Sequence, residues 1–185
     1  MQVNGFERKI VILVTFFWLL ASSLEAQYAP VDAGSSVTFK VKNFGFNVDG
    51  SFKGIKGIIR FDPIDLPAAN FNISIEAASV NTDNSMRDDH LRNENYFDVK
   101  IHPLIQFVST SVTGSGKNGA YTVSGKLTIK GVSRDISFPF NTVSSAGRIL
   151  FKGNFRINRR DFGVGSASTV SDNVDIFLEV LAVKI

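Results

Sequence analysis

From Val31 to the C-terminus the chain alternates apolar and polar residues in short runs that are separated by turn residues. Val37, Phe39 and Val41 alternate with Thr38, Lys40 and Lys42, and Phe71, Ile73, Ile75 and Ala77 alternate with Asn72, Ser74, Glu76 and Ala78. Tyr121, Val123, Gly125, Leu127 and Ile129 alternate in the same way with Thr122, Ser124, Lys126, Thr128 and Lys130. A period of two marks a strand with one apolar and one wetted face. The same signal predicts strands over 44–48, 57–61, 104–109, 136–140, 149–157 and 174–183. Turn chemistry lies between them at Asp49-Gly50, Asp62-Pro63, Lys130-Gly131 and Ala146-Gly147. About eight to ten short antiparallel strands predict an all-β closed barrel ahead of a sandwich, because closure removes exposed sheet edges.

One segment departs from the alternation. Ser85 to Asp88 has the spacing of a helix N-cap with an acidic residue three positions on, and Asp88 and Arg92 are four apart in the favourable order. Residues 83–96 are therefore expected to form a loop with a short helix. Arg87, Asp88 and Arg92 would pin that loop over the barrel through charge-assisted hydrogen bonds.

Phe occurs 17 times, against one Trp and three Tyr, so the interior is expected to be lined with phenyl rings. On this register the first strands turn Phe39, Val41, Phe44, Phe46, Phe52 and Phe61 inward. The middle strands add Ile73, Ile75, Phe107, Val123, Leu127 and Ile129, and the last ones Phe138, Phe140, Phe151, Phe155 and Ile176. An eight-stranded barrel is just wide enough to be filled by side chains or to hold one small ligand. These 17 positions are the candidate interior residues, which either fill a core or line a binding cavity.

Charge narrows the function classes. Lys and Arg number 20 against 17 Asp and Glu, a net +3, and the basic residues form no block, which excludes a nucleic-acid footprint. At the N-terminus Arg8 and Lys9 precede an apolar run from Ile10 to Ala21 that is too short to span a bilayer, which takes about 20 residues. Residues 1–26 are expected to be an export signal cleaved after Ala26, leaving one domain over 27–185 in the periplasm or outside the cell. The chain has no Cys, so it uses neither disulfides nor a thioether lipid anchor.

Several motifs could carry chemistry, and each lacks its context. Gly114 to Gly119 matches a dinucleotide glycine pattern but has strands on both sides, which makes it a hairpin turn. His90 and His102, the two histidines, lack a metal-ligand spacing even with Asp88 and Asp89 nearby. Asp161-Phe162-Gly163 has nothing else of a kinase around it, and no Gly-x-Ser-x-Gly elbow occurs. The expectation is a binding protein with no catalytic residue, no metal and no cofactor. An enzyme using Asp88, His90 or Asp161 as acid or base, and a solid-barrel interaction or stress protein docking through 83–96, are the alternatives.

Ordered motifs along the chain carry a family resemblance. Val31-Asp32, Phe39-Lys40-Val41, Gly50-Ser51-Phe52 and the run from Gly57 to Asp62 are followed by the run from Ala78 to Thr82. The run from Arg87 to Arg92, Tyr96-Phe97-Asp98, His102-Pro103, Ile105-Gln106-Phe107, the run from Gly125 to Val132 and that from Asn158 to Gly163 complete the set. Together they resemble the YceI-like family over Val31 to Ile185. The resemblance implies an eight-stranded lipocalin-like antiparallel barrel, periplasmic in bacteria, that binds polyisoprenoids or related long-chain amphiphiles. Many members carry His where this chain has Asn43 and Lys130. Sequestration or transport of a long-chain isoprenoid, isoprenoid-quinone-like or fatty acyl lipid is then the expected function, with transient membrane contact and with a homodimer left open. Energetics favour a long chain, since about 15 buried methylenes at ~0.8 kcal/mol each give on the order of 12 kcal/mol gross. The association cost to be overcome is roughly 4 to 15 kcal/mol.

Overall fold

A computed structural model describes residues 26–114, 119–166 and 169–185. The expected export signal, apart from Ala26, and residues 115–118 of the glycine pattern lie outside the described residues. Ten strand segments follow in chain order: β1 (Gln27–Pro30), β2 (Ser36–Asn43), β3 (Phe46–Phe52), β4 (Lys56–Arg60), β5 (Asn70–Glu76), β6 (Leu104–Gly114), β7 (Ala120–Ile129), β8 (Val132–Ser145), β9 (Arg148–Asn158) and β10 (Val170–Lys184). One α-helix, α1 (Ser85–Arg92), lies between β5 and β6.

These segments make a closed eight-stranded barrel. One edge of the long β10 pairs with β1 through Tyr28↔Lys184 and with β2 through Val41↔Val174. β1 and β2 are therefore one barrel strand interrupted at residues 31–35. β4 pairs with β1 and β3 with β2, so β3 and β4 are a second strand interrupted at 53–55. Asp32 braces the two interruptions, accepting from the amides of Gly54 (3.0 Å) and Ile55 (2.8 Å). β4 to β10 then form an antiparallel meander, each strand beside the next. At the upper part of β3 the wall continues into the segment before α1, where Asn81 bridges to Ser51.

Two hairpin turns fall where expected. Lys130-Gly131 (φ 50° and 74°) and Ala146-Gly147 (45° and 76°) have positive φ at both central residues, the turn whose twist matches that of its strands. Asp49-Gly50 is not a turn. It lies within β3, the expected strand at 44–48 becomes Phe46–Phe52, and the chain reverses at Phe44-Gly45 (φ 50° and 83°). Gly50 is there for space, because an added Cβ would stand 2.2 Å from Cζ of Phe39 on the paired strand.

The helix is capped one residue earlier than expected. Asn84 caps α1 by accepting from the Arg87 amide at 3.0 Å, which leaves Ser85 as the first helical residue. Asp88 then sits too far along to close a capping box, and Arg92 forms its ion pair with Asp89 (2.9 Å) instead of Asp88.

Aromatic rings fill the end of the barrel opposite α1. Phe61 is the hub, with ring centroids 5.1 Å from Tyr121, 5.5 Å from Phe151, 6.0 Å from Phe140 and 6.2 Å from Phe71. Edge-to-face contact dominates, the arrangement that aromatic quadrupoles favour. This cluster is the floor of the barrel.

Candidate functional site: an apolar cavity with one mouth

Above that floor the barrel is hollow. The cavity measures about 640 Å³, within the ~300–1,000 Å³ typical of small-molecule sites. Phe39, Val41, Phe52, Ile73, Ile75, Phe107, Val123, Leu127, Ile129, Phe138, Phe140, Phe151, Phe155 and Ile176 all border it. Three expected lining residues stand elsewhere. Phe61 is 3 % exposed and plugs the floor, because it follows the last residue of β4 and points among the rings beneath the cavity. Phe44 and Phe46 are 73 % and 76 % exposed. Phe44 is in the β2–β3 turn, while Phe46, paired with Asn43, has the inward parity but stands at the hairpin tip.

Inward glycines help to keep the centre open. The ring of Phe39 lies over Gly50, Cζ of Phe107 would be 2.8 Å from a Cβ on Gly125, and Cε2 of Phe138 would be 3.4 Å from one on Gly153. Phe138 and Phe155 stack at 4.5 Å with planes 22° apart. A ring that lies against a neighbouring strand occupies the wall instead of the axis.

The mouth is edged by polar side chains. Asn43, Thr82, Asn84, Arg87, His90 and Arg159 border the cavity there. Arg87 donates from Nε to Thr82 Oγ1 (2.6 Å) and from Nη2 to the Thr82 carbonyl (2.7 Å). Asp88, 5 % exposed, accepts from the Thr82 amide (2.9 Å) and hydroxyl (2.6 Å). Arg92 donates to the carbonyls of Ala78 (2.8 Å) and Val80 (2.9 Å). Each of these three residues thus ties α1 to the segment that precedes it. Across the mouth Arg159, 5 % exposed, donates to the carbonyls of Val164 (2.8 Å), Val170 (3.0 Å) and Ser171 (3.1 Å) and to the Asp172 carboxylate (3.0 Å). Asn43 accepts from the Thr169 hydroxyl at 2.8 Å, whereas Lys130 braces the turn near Arg159 through the Gly163 carbonyl at 3.1 Å.

Irregular segments supply wall residues that alternation does not reveal. Val164, Phe97 and Leu91 come from loops and from α1, and Ile55 from the interruption before β4. Ile59 shares the parity of Phe61 and could have been found from that period. Among the described residues no group of three or more His, Asp or Glu is placed to hold a metal ion. His90 instead makes an edge contact with Tyr96 at 5.0 Å.

Known proteins share this architecture. A UPF0312 protein of Pseudomonas fluorescens is 32% identical over 172 residues, covering 86% of this chain and 84% of its own. One from Pseudomonas syringae pv. syringae is 31% identical over 160 residues, covering 82% and 79%. Among solved structures, BcnA of Burkholderia cenocepacia superposes with a TM-score of 0.77 at 29% identity, covering 82% of this chain and 98% of that one. The YCEI protein of Campylobacter jejuni gives 0.67 at 32% identity, covering 76% and 86%. A polyisoprenoid binding domain from Saccharophagus degradans, implicated in plant cell wall breakdown, shares the fold with a TM-score of 0.69 at 16% identity, covering 85% and 98%. The YceI-like domain matches residues 28–182, and the chain belongs to that family.

Proposed function

We propose that the protein binds the apolar tail of a long-chain lipid, of the polyisoprenoid, isoprenoid-quinone or fatty acyl class, and sequesters or carries it through an exported aqueous compartment. One observation carries this reading: a 640 Å³ apolar cavity floored by phenyl rings and bordered by polar groups at its mouth. Such a shape suits an amphiphile lying tail-down, with specificity set by depth and by the polar rim. The polyisoprenoid-binding neighbour with the same fold supports the tail class, and the N-terminal charge and hydropathy pattern supports export. A cavity of this size argues against a solid barrel acting by its surface alone. The rim polar groups are engaged in holding loops, which favours binding over turnover.

Native mass spectrometry of protein purified under mild conditions, followed by denaturation and lipid extraction, tests the proposal. A stoichiometric long-chain lipid is expected. A bare polypeptide mass that also fails to take up added polyprenol or fatty acid would overturn it.

A further inference from the structure

We propose that Phe44, Phe46 and Met86 form a docking rim for a phospholipid bilayer, through which the cavity exchanges its ligand with the membrane; this rests on the reading of the cavity as a lipid site. Met86 is 83 % exposed yet borders the cavity, and Phe44 directly follows Asn43, which also borders it. The exposed apolar groups therefore stand at the opening itself.

Folding does not account for a phenyl ring at Phe44. Its φ of 50° lies in the left-handed region, where Asn, Asp or Gly is at ease and a bulky residue is not. The ring gains no burial in return. The tip is nonetheless held in place: the Phe44 amide donates to the Thr169 carbonyl at 3.2 Å, beside the Asn43–Thr169 hydrogen bond. An anchored hairpin presents two phenyl rings outward.

The size and charge of this surface select the occupant. Two rings and a thioether are too little for a stable protein interface, which buries ~1,200 Å² or more. A bilayer accepts isolated apolar tips without shape complementarity, and aromatic side chains suit its interface. Exposed charges that adjoin the mouth residues in sequence are of both signs: Lys42 next to Asn43, Arg160 and Asp161 after Arg159, and Asp83 between Thr82 and Asn84. Docking is therefore apolar and insensitive to salt.

The test is flotation with phosphatidylcholine vesicles at low and high salt, together with transfer of a pyrene-labelled fatty acid from loaded protein to the same vesicles. The F44N/F46S variant removes both rings while giving the turn a residue suited to its φ, and circular dichroism checks that it folds. Its vesicle-bound fraction should fall about tenfold or more, and its transfer rate should stop rising with vesicle concentration. Ile64→Ser, at an exposed site (93 %) beyond the floor, should leave both unchanged. Wild-type protein that does not float, or a variant that floats equally well, overturns the proposal. So does a variant whose only change is loss of self-association, which would assign the rim to a second copy. If the probe binds but nothing floats, docking fails and the cavity reading stands; if the protein floats but takes up no probe, the cavity reading fails.

Discussion

Replacing Gly50 with Ala is the sharpest probe of the hollow interior. The new Cβ would lie 2.2, 2.5 and 2.9 Å from Cζ, Cε1 and Cε2 of Phe39, whereas non-bonded carbons rest at about 3.5–4.0 Å, so the ring must retreat by roughly 1.5 Å. Phe52 closes one flank at a centroid distance of 5.6 Å, which turns the ring toward the cavity. Alanine in a strand gains about 0.5–1 kcal/mol over glycine, which offsets part of the strain. A displaced phenyl that excludes about four methylenes of a bound chain removes on the order of 3 kcal/mol of binding, or roughly 200-fold in Kd. Titration with a pyrene-labelled fatty acid should show that loss, while the melting temperature moves by only a few degrees. G50A/F39A, which deletes the ring, should restore binding. Undiminished affinity in G50A, or no rescue in the double variant, would refute the claim that Phe39 borders the space the ligand fills.

Three further outcomes separate floor, loop and surface. Phe61→Ala should lower the unfolding free energy in urea by about 3–5 kcal/mol, as deletion of a core aromatic does, and leave affinity for the same probe within a few-fold. Arg87→Ala removes two donors to Thr82 and should lower stability by about 1–3 kcal/mol, with a smaller effect on probe affinity and with faster hydrogen exchange over 82–92. Asp175 is held below the ordinary carboxylate range, first by its hydrogen bond from Arg156 (2.6 Å) and then by that residue's charge working against partial desolvation. A depressed folded-state pKa adds stability that is present above about pH 4 and lost as pH falls through the folded value. Because the pair is solvent-exposed the effect is small, and Asp175→Asn should flatten the acid limb of the Tm–pH curve slightly without changing neutral-pH affinity.

How much of this is written in the sequence depends on where each residue sits. β7 and β9 are legible because one face is wetted throughout, so period-two alternation reports the barrel side directly. β1, whose four residues end in Pro30, has too little pattern to read, and only pairing with Lys184 and Ile59 makes it a strand. The β2–β3 reversal is misread for a physical reason. Asp49-Gly50 has turn chemistry but serves as clearance for a ring, while the actual turn uses Phe44 against its conformational preference. Alternation also says that Phe39 and Phe61 both point inward, but not that one borders space and the other fills it. That distinction depends on which neighbour is a glycine and which is another ring.

The filled floor makes the cavity one-ended, and this links ligand, fold and rim. A tail that enters at the mouth must leave by it, since Phe61, Phe71, Tyr121, Phe140 and Phe151 occupy the other end. If about 15 methylenes are buried, withdrawal into water gives up the ~12 kcal/mol that their burial supplied. Withdrawal into a bilayer gives up almost none of it, because each methylene passes from one apolar environment to another. A barrel that held its ligand this way would release it slowly to solution and rapidly at a membrane. The difference rests on the mouth reaching the hydrocarbon, which the exposed Phe44 and Phe46 of the β2–β3 tip would bring about in the proposed docking.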